Sequence, residues 1–343
     1  VPGYDFISSL SSSADNDGID PNPDDPGDGN QFEASTWHGT HVAGTIAAKT
    51  NNNNGVAGVS WGAKIMPLRA LGVGGGTDYD IGQAVLFAAG LSNNSDTFPA
   101  QKADIINLSL GGPAKSDFFR DIYAQARNEG LIIVAAAGNA NNAQPSYPAA
   151  YDTVISVAAT DVNNNRAPYS SYGNAALGSK IDIAAPGGDL SVDRNNDGFG
   201  DGVLSTFVDD SSGIRKDAIV LNQGTSMAAP HVAGVIALMR AVYPALSPNE
   251  FDLLLKSGKI TNDIGDTGQD SLFGYGLINA FKAVSEAREL NFGGEPPALP
   301  ALITSTPTSL NFASNVAGNL TLSNAGGGNP TITGFSVSAD WLS

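Results

Sequence analysis

The sequence predicts an α/β fold, a mostly parallel central sheet covered by helices on both faces, followed by the start of a small β-sandwich. Three observations carry that expectation. Short apolar runs of strand length alternate with stretches of helical length from Lys64 to Leu290. Gly-rich segments, Gly72–Gly76 and Gly111–Gly112, follow two of the runs, where the carboxyl ends of parallel strands bind ligands. After residue 292 the composition changes: Gly293–Pro300 holds three Pro and two Gly, as linkers do, and further strand-like runs follow.

The elements follow in order. Residues 1–36 are rich in turn formers and acids, most densely over Asp15–Asp28. Lys64–Ala70, Asp104–Leu110, Leu131–Ala137, Val154–Ala158 and Ile181–Ala185 read as strands, and their nearly unbroken apolar character fits burial on both faces. Between them Asp80–Leu91 and Asp117–Glu129 read as helices, the second stopped by Gly130. Another helix opens near Gly224 and runs to about Val242. Ser247-Pro248-Asn249-Glu250 is a capping box with Pro at the first helical position, which starts a helix over Pro248–Ser257. A last helix covers roughly Asn279–Leu290. The expected organisation is therefore a main domain over 1–292, a linker over 293–300, and a partial Ig-like β-sandwich over 301–343. That module would use strands Ser309–Ala313, Asn319–Ser323 and Thr331–Val337, too few to complete a sandwich.

The 343 residues can bury a sizeable core. Acids outnumber bases 34 to 17, for a net charge of −17. That balance argues against nucleic acid and anionic membrane as partners, and favours bound cations or a solvated acidic shell. The absence of cysteine excludes disulfides, a thiol nucleophile and Cys-ligated zinc. No apolar run has the length of a bilayer span. The first residue is Val and no signal segment is visible, so the chain is expected to begin at a processing boundary.

Gly224-Thr225-Ser226-Met227-Ala228-Ala229-Pro230 puts a serine at a helix start. Such a serine can be a simple cap, or a nucleophile whose own N–H points where an oxyanion forms. Pro230 is expected to cost little, because first-turn N–H groups lack helical partners. His38-Gly39-Thr40-His41-Val42-Ala43-Gly44 supplies two of the three histidines on one helix face. Zinc would need a third ligand, and none of suitable type is near.

Together with Ser109-Leu110-Gly111-Gly112 and Ala136-Ala137-Gly138-Asn139, these motifs resemble, in order and spacing, the subtilisin-like serine proteases, or subtilases. The resemblance covers roughly residues 1–290. It implies a three-layer subtilisin-like fold and peptide-bond hydrolysis through an acyl-enzyme on Ser226, with protein or peptide substrates. It implies that His38 is the general base, that His41 is structural, and that the Asn139 side chain and Ser226 N–H form the oxyanion hole. Leu108–Gly111, with Leu110 in it, and Leu71–Gly76, with Gly74 and Gly75, are expected to flank an extended substrate, and the resemblance implies that Ala136, Ala137 and Gly138 with Gly111 and Gly112 line the primary specificity pocket, with Ser146 near its base. With the acid-rich, cysteine-free composition it implies a secreted, extracellular enzyme of bacterial type.

The family's third catalytic residue is an Asp in an Asp-Ser/Thr-Gly turn before the His motif, and no such turn precedes Trp37. Val1-Pro2-Gly3-Tyr4-Asp5-Phe6 resembles a segment that follows that Asp, so Asp5 is not expected to replace it. Low activity is expected of these residues by themselves, with a cleaved N-terminal fragment or propeptide as a candidate partner.

Calcium is the expected cofactor, through three loops. Asp193, Asn195, Asp197, Phe199 and Asp201 around Gly198 follow the first positions of an EF-hand-type loop, but position 12 is Leu204 rather than Glu. Asp15, Asp17, Asp20, Asp24 and Asp25 form an acidic cluster whose repulsion a cation would relieve. Thr50, Asn52, Asn54 and Val56 resemble the subtilase loop that wraps calcium. Two other readings compete with the enzyme: a non-catalytic binding protein on the same fold, and a calcium-dependent docking module at 301–343.

Overall fold

A computed structural model describes residues 1–29, 34–293, 303–306 and 321–324. Chain order runs β1 (Tyr4–Asp5), α1 (Leu10–Ser13), α2 (His38–Ala47), β2 (Leu68–Arg69), α3 (Asp78–Ala88), β3 (Ile105–Leu108), α4 (Asp117–Asn128), β4 (Ile132–Ala136), β5 (Ile155–Thr160) and β6 (Ile183–Pro186). It continues with β7 (Val203–Asp209), β8 (Lys216–Asn222), α5 (Thr225–Val242), α6 (Pro248–Lys256), β9 (Thr261–Asn262), β10 (Leu277–Ile278), α7 (Ala280–Phe292), β11 (Ile303–Thr306) and β12 (Thr321–Asn324). Residues 1–287 and 288–343 form two compact units.

The central sheet has the order β3-β4-β5-β6-β10-β9 and is parallel except at the β10–β9 pair. Strand β4 shows why three layers form. Ile132 and Val134 pack into a core with Val232 and Ile236 of α5, Phe251 of α6 and Ala283 of α7. Ile133 and Ala135 point the other way, into a core with Val85 of α3 and Ile122 of α4. Alternate side chains face opposite sides of a sheet, so an all-apolar strand needs helices on both. Every residue of β4 and β5 is buried.

Local chemistry sets the helix ends. Ser116 and Thr77 cap α4 and α3 through their hydroxyls, so α3 starts at Asp78, two residues before the expected Asp80. Gly130, at φ 90°, ends the turn after α4. The Ser247/Glu250 capping box is present in full. Pro230 differs from expectation: it lies inside α5, past the first turn, and removes the N–H that would reach the Ser226 carbonyl. Ser109 Oγ donates to that carbonyl instead, at 2.7 Å.

Lys64–Ala70 yields a strand only over Leu68–Arg69, paired in parallel with β1. These two strands form a sheet of their own, and β3 is left as an edge of the central one. Both pieces nevertheless share one core, with Phe6, Met66 and Leu68 beside Ile106 and Leu108. The hairpin β7–β8 was not expected from the sequence, because its half-exposed strands lack a clean apolar period. It packs on α2 at Gly44, where a β-carbon would stand 2.0 Å from Thr206 Oγ1. Ser205 and Thr206 hydroxyls donate to the carbonyls of His41 and Thr40 at 2.7 and 2.8 Å.

In the second unit β11 and β12 pair antiparallel, from Ile303↔Asn324 to Thr306↔Thr321. Strand β12 overlaps the expected 319–323, whereas β11 was not expected. The strands expected at 309–313 and 331–337, and the linker beyond residue 293, lie outside the described residues.

Candidate active site

Helices α2 and α5 pack against each other, and each begins with a chemical group. His38 is the first residue of α2 and Ser226 the second of α5. Both line one open cavity of about 390 Å³, together with Thr36, Asn139, Phe207, Asn222, Gln223 and Met227. Asn139 follows β4, so sheet and helices deliver the three groups from three distant stretches of sequence.

Thr225, fully buried, orients Asn139. Its N–H and hydroxyl both donate to Asn139 Oδ1, at 2.9 and 2.8 Å. Two donors fix Oδ1 as the acceptor end, so the Asn139 Nδ2 amide is the end left to face the cavity. Gly224 leaves the space in front open. At φ 148° it adopts a backbone that side chains rarely take. A β-carbon built there would lie 3.5 Å from Asn139 Nδ2, 3.8 Å from Asn139 Oδ1 and 3.6 Å from Ser226 N, so the Asn139 side-chain amide and the Ser226 N–H are close neighbours. Ser226 Oγ donates to the Ser109 carbonyl at 3.3 Å. Ser109 and Ser226 thus hold each other through hydroxyl and carbonyl in both directions.

On the base side, Trp37 precedes His38 in the left-handed region, at φ 44°. That is a strained place for a bulky residue and persists only where packing enforces it. Trp37 is 3% exposed, and the Arg215 guanidinium of the β7–β8 tip lies 5.3 Å from its ring centre. Burial, together with neighbouring His41, pushes the His38 imidazole below its ordinary pKa, and Asp28 pulls the other way. Among the described residues no hydrogen bond joins His38 to a carboxylate. Asp5 is not that partner: its buried carboxylate is taken by Arg69 and by Ile7 N–H at 2.7 Å. His41 is fully buried, with Nε2 3.0 Å from the Val203 carbonyl and 3.2 Å from that of Val220. Its ring serves the hairpin, which sets zinc aside.

The expected substrate-side residues fall into two groups. Gly111, Gly138 and Ser146 converge: a β-carbon on Gly111 would stand 2.5 Å from Ser146 Oγ, and one on Gly138 3.6 Å from Ser146 Cβ. Gly112 pairs with Tyr147 through two backbone bonds of 2.8 and 2.9 Å, and buried Ala136 and Ala137 end β4. Leu110 is half-buried against the core. Gly74 and Gly75 form an exposed tight turn closed by the Gly72–Gly75 bridge. Thr225, Thr36, Phe207, Asn222 and Gln223 were not anticipated as site residues. Thr225 could have been flagged from its place in the serine motif; the others are joined only by tertiary packing.

The calcium loops differ in fit. In 193–201 the Asp193 carboxylate accepts from Asp197 and Gly198 N–H, Asn195 Oδ1 accepts from Asp197 N–H, and Asp201 Oδ2 accepts from Arg194 N–H. Asp197 Oδ1 accepts from Phe199 N–H and Oδ2 from Asn195 Nδ2 at 2.8 Å, so the side chains are engaged within the loop, and among the described residues Asp193, Asp197 and Asp201 do not form a close three-carboxylate group as Asp5, Asp15 and Asp20 do. Residues Thr50–Ala57, with Asn52 and Asn54 at its centre and Val56 near its end, curl around an open concavity. The acidic cluster is rearranged. Asp5, Asp15 and Asp20 place carboxylate oxygens within 4.8 Å of one another, yet Arg69 already pairs with Asp5, with Asp15 at 2.8 Å and with Asp25 at 3.7 Å. Asp24 is drawn away to Arg215 at 2.9 Å. An internal cation therefore holds part of the position expected for calcium, and Asp17 and Asp20 remain on its open side.

Residues 5–276 match the model of the subtilase family, peptidase S8. An extracellular protease of Xanthomonas campestris pv. campestris is 38% identical over 299 residues, covering 84% of this chain and 48% of its own length. This chain thus spans about half of that relative. Thermitase of Thermoactinomyces vulgaris is 34% identical over 285 residues, covering 83% of this chain and 81% of its own. A solved protease structure from Pseudoalteromonas arctica PAMC 21717 superposes with a TM-score of 0.74 at 41% identity, covering 84% of each chain. With nearly four-fifths of its length inside the family match, and a three-layer subtilisin-like fold, the chain belongs to the subtilase family.

Proposed function

We infer that the chain is the catalytic part of a secreted, calcium-stabilised serine endopeptidase acting on protein or peptide substrates. The observation that carries the reading is that His38, Ser226 and Asn139, from three distant stretches of sequence, line one cavity, with Thr225 holding Asn139 Oδ1 as an acceptor beside Ser226. A serine hydroxyl is a weak nucleophile until a base takes its proton. His38, kept mostly neutral at pH 7 by its lowered pKa, can take it as Oγ attacks the scissile carbonyl. The oxyanion then meets two donors already in place, which costs no reorganisation as charge develops. His38 returns the proton to the leaving amine, and water repeats the sequence on the acyl-enzyme. The names of relatives that include "extracellular" support secretion of this chain too.

Full activity needs a carboxylate on His38, and we infer that it arrives on a strand outside residues 1–343, such as a retained N-terminal fragment. Three features support this. Among the described residues strand β3 is paired on one side only, and the parallel pair β1–β2 forms a separate sheet while sharing its core. Asn107 Oδ1, on β3, is buried without a partner among the described residues. One parallel strand between β2 and β3 would satisfy all of them. Calcium, where bound, supplies positive charge that ties loop carboxylates together. Asp193, Asn195, Asp197 and Asp201 would hold it, as would the loop of Thr50, Asn52, Asn54 and Val56.

Fluorophosphonate labelling of Ser226 tests both parts. The chain should label, and Ser226→Ala should not. A longer form that includes the additional strand should label faster, by up to the roughly 10⁴-fold that loss of the triad Asp costs in subtilisin. Equal rates for the two forms would remove the inferred strand, and silence in both would remove the peptidase.

A further inference from the structure

We propose that Asp28 is a positioning residue for His38: its carboxylate grips Thr36 by backbone and hydroxyl, which fixes the turn that presents the imidazole, and its charge favours the imidazolium formed when Ser226 gives up its proton. The inference rests on the peptidase reading above and adds a group that neither the motifs nor the family match assigns.

The geometry is a two-pronged hold. Asp28 Oδ1 accepts from Thr36 N–H and Oδ2 from the Thr36 hydroxyl, both at 2.6 Å. Thr36 lines the same cavity as His38, two residues upstream of it. An ordinary cap is absent here, since Trp37 occupies the N-cap position of α2 without a side-chain bond. The grip on Thr36 therefore does what a cap would do, locating the chain just before the helix. Both carboxylate oxygens are occupied by donors, so the group is held in one orientation.

The charged and titratable groups acting on His38 are few. His41 lies on its own helix, and Asp28 on the loop before it. The residues that the β7–β8 hairpin and α5 present to the shared cavity, Phe207, Asn222, Ser226 and Met227, carry no charge. Asp28 is thus the described negative group on the base.

The chain holds only three histidines, so proton NMR can follow the His38 ring directly, with His38→Gln assigning its signals. Asp28→Asn keeps an acceptor for Thr36 and removes the charge. It should lower the His38 titration midpoint by about 0.2–0.7 unit, the range of a partly solvated charge pair. Thr36→Val should leave the midpoint in place, and 1 M salt should shrink the difference between wild type and Asp28→Asn. An unchanged midpoint in Asp28→Asn would overturn the proposal, as would an equal fall in Thr36→Val. Labelling of Ser226 is read separately, so failure of the peptidase and failure of this coupling are told apart.

Discussion

At the scale of single residues, Asn139 is an amide aimed by its neighbour. Thr225 gives both its donors to Asn139 Oδ1, which blocks the rotation that would exchange oxygen and nitrogen. Asn139→Ala should lower kcat for peptide hydrolysis by roughly 10²–10³, the cost of one such donor in subtilisin, with little change in KM. A matched rise in KM would instead point to a ground-state contact. The pair formed by Ser109 and Ser226 is a second residue-scale device, because Pro230 would otherwise leave the carbonyl of the nucleophile's own residue without a partner. His38, Asn139 and Ser226 each stand in a short motif with unusual neighbours, which is why the sequence singles them out, and the structure sets all three on one cavity. Phe207, Asn222 and Gln223 were not legible in the sequence, since a lone aromatic or amide in a loop carries no mark of where it folds.

Among the elements, α2 and the β7–β8 hairpin behave as one body. His41 is the rivet: Nε2–H is shared by carbonyls of both strands, while buried Nδ1 has no partner among the described residues. A proton placed on Nδ1 would find no acceptor, and burial holds the ring below its ordinary pKa. His38 and His231 are lowered by desolvation as well. The unfolded chain takes up these protons once the pH falls below about 6.5, and the folded chain refuses them until lower still. Their contribution to stability is therefore complete at neutral pH and drains away on acidification. Thermal unfolding between pH 7.5 and 5.5 should show a falling Tm, with a slope of up to about 1.4 kcal/mol per pH unit for each histidine. His41→Gln, which keeps a donor for the two carbonyls, should flatten the slope; a slope that stays the same would relieve His41 of this role. The helices were readable at this scale because caps and glycine stops are local signals, as at Ser247/Glu250 and Gly130. The hairpin was hidden because its stability comes from partners more than 160 residues away.

For the whole molecule, a charge of −17 must be accommodated somewhere. Arg69 and Arg215 neutralise part of the first acidic loop from within, and the 193–201 loop has no comparable internal cation beyond Arg194, which pairs with Asp161 at 3.4 Å. A chelator should accordingly lower Tm, and added calcium should restore it by about 2.7 kcal/mol at a hundredfold excess over Kd. Asp197→Ala should blunt that response, measured by calorimetry with and without calcium, and an undiminished response would move the site elsewhere. The layered α/β plan was legible because apolar runs of strand length leave few alternatives. The boundaries of the sheet were not: Lys64–Ala70, with Lys64, Pro67 and Arg69 among its apolar residues, pairs over only two of them, and its pairing depends on what lies alongside.

Among the described residues β3 has no strand on its outer flank, and such a rim is open to backbone from other molecules. Unsatisfied amides and carbonyls along a sheet rim recruit whatever extended backbone comes first, whether the intended insert, a passing peptide or an identical neighbour. Crowding would then favour pairing between copies, so more dilute molecules should stay monomeric longer.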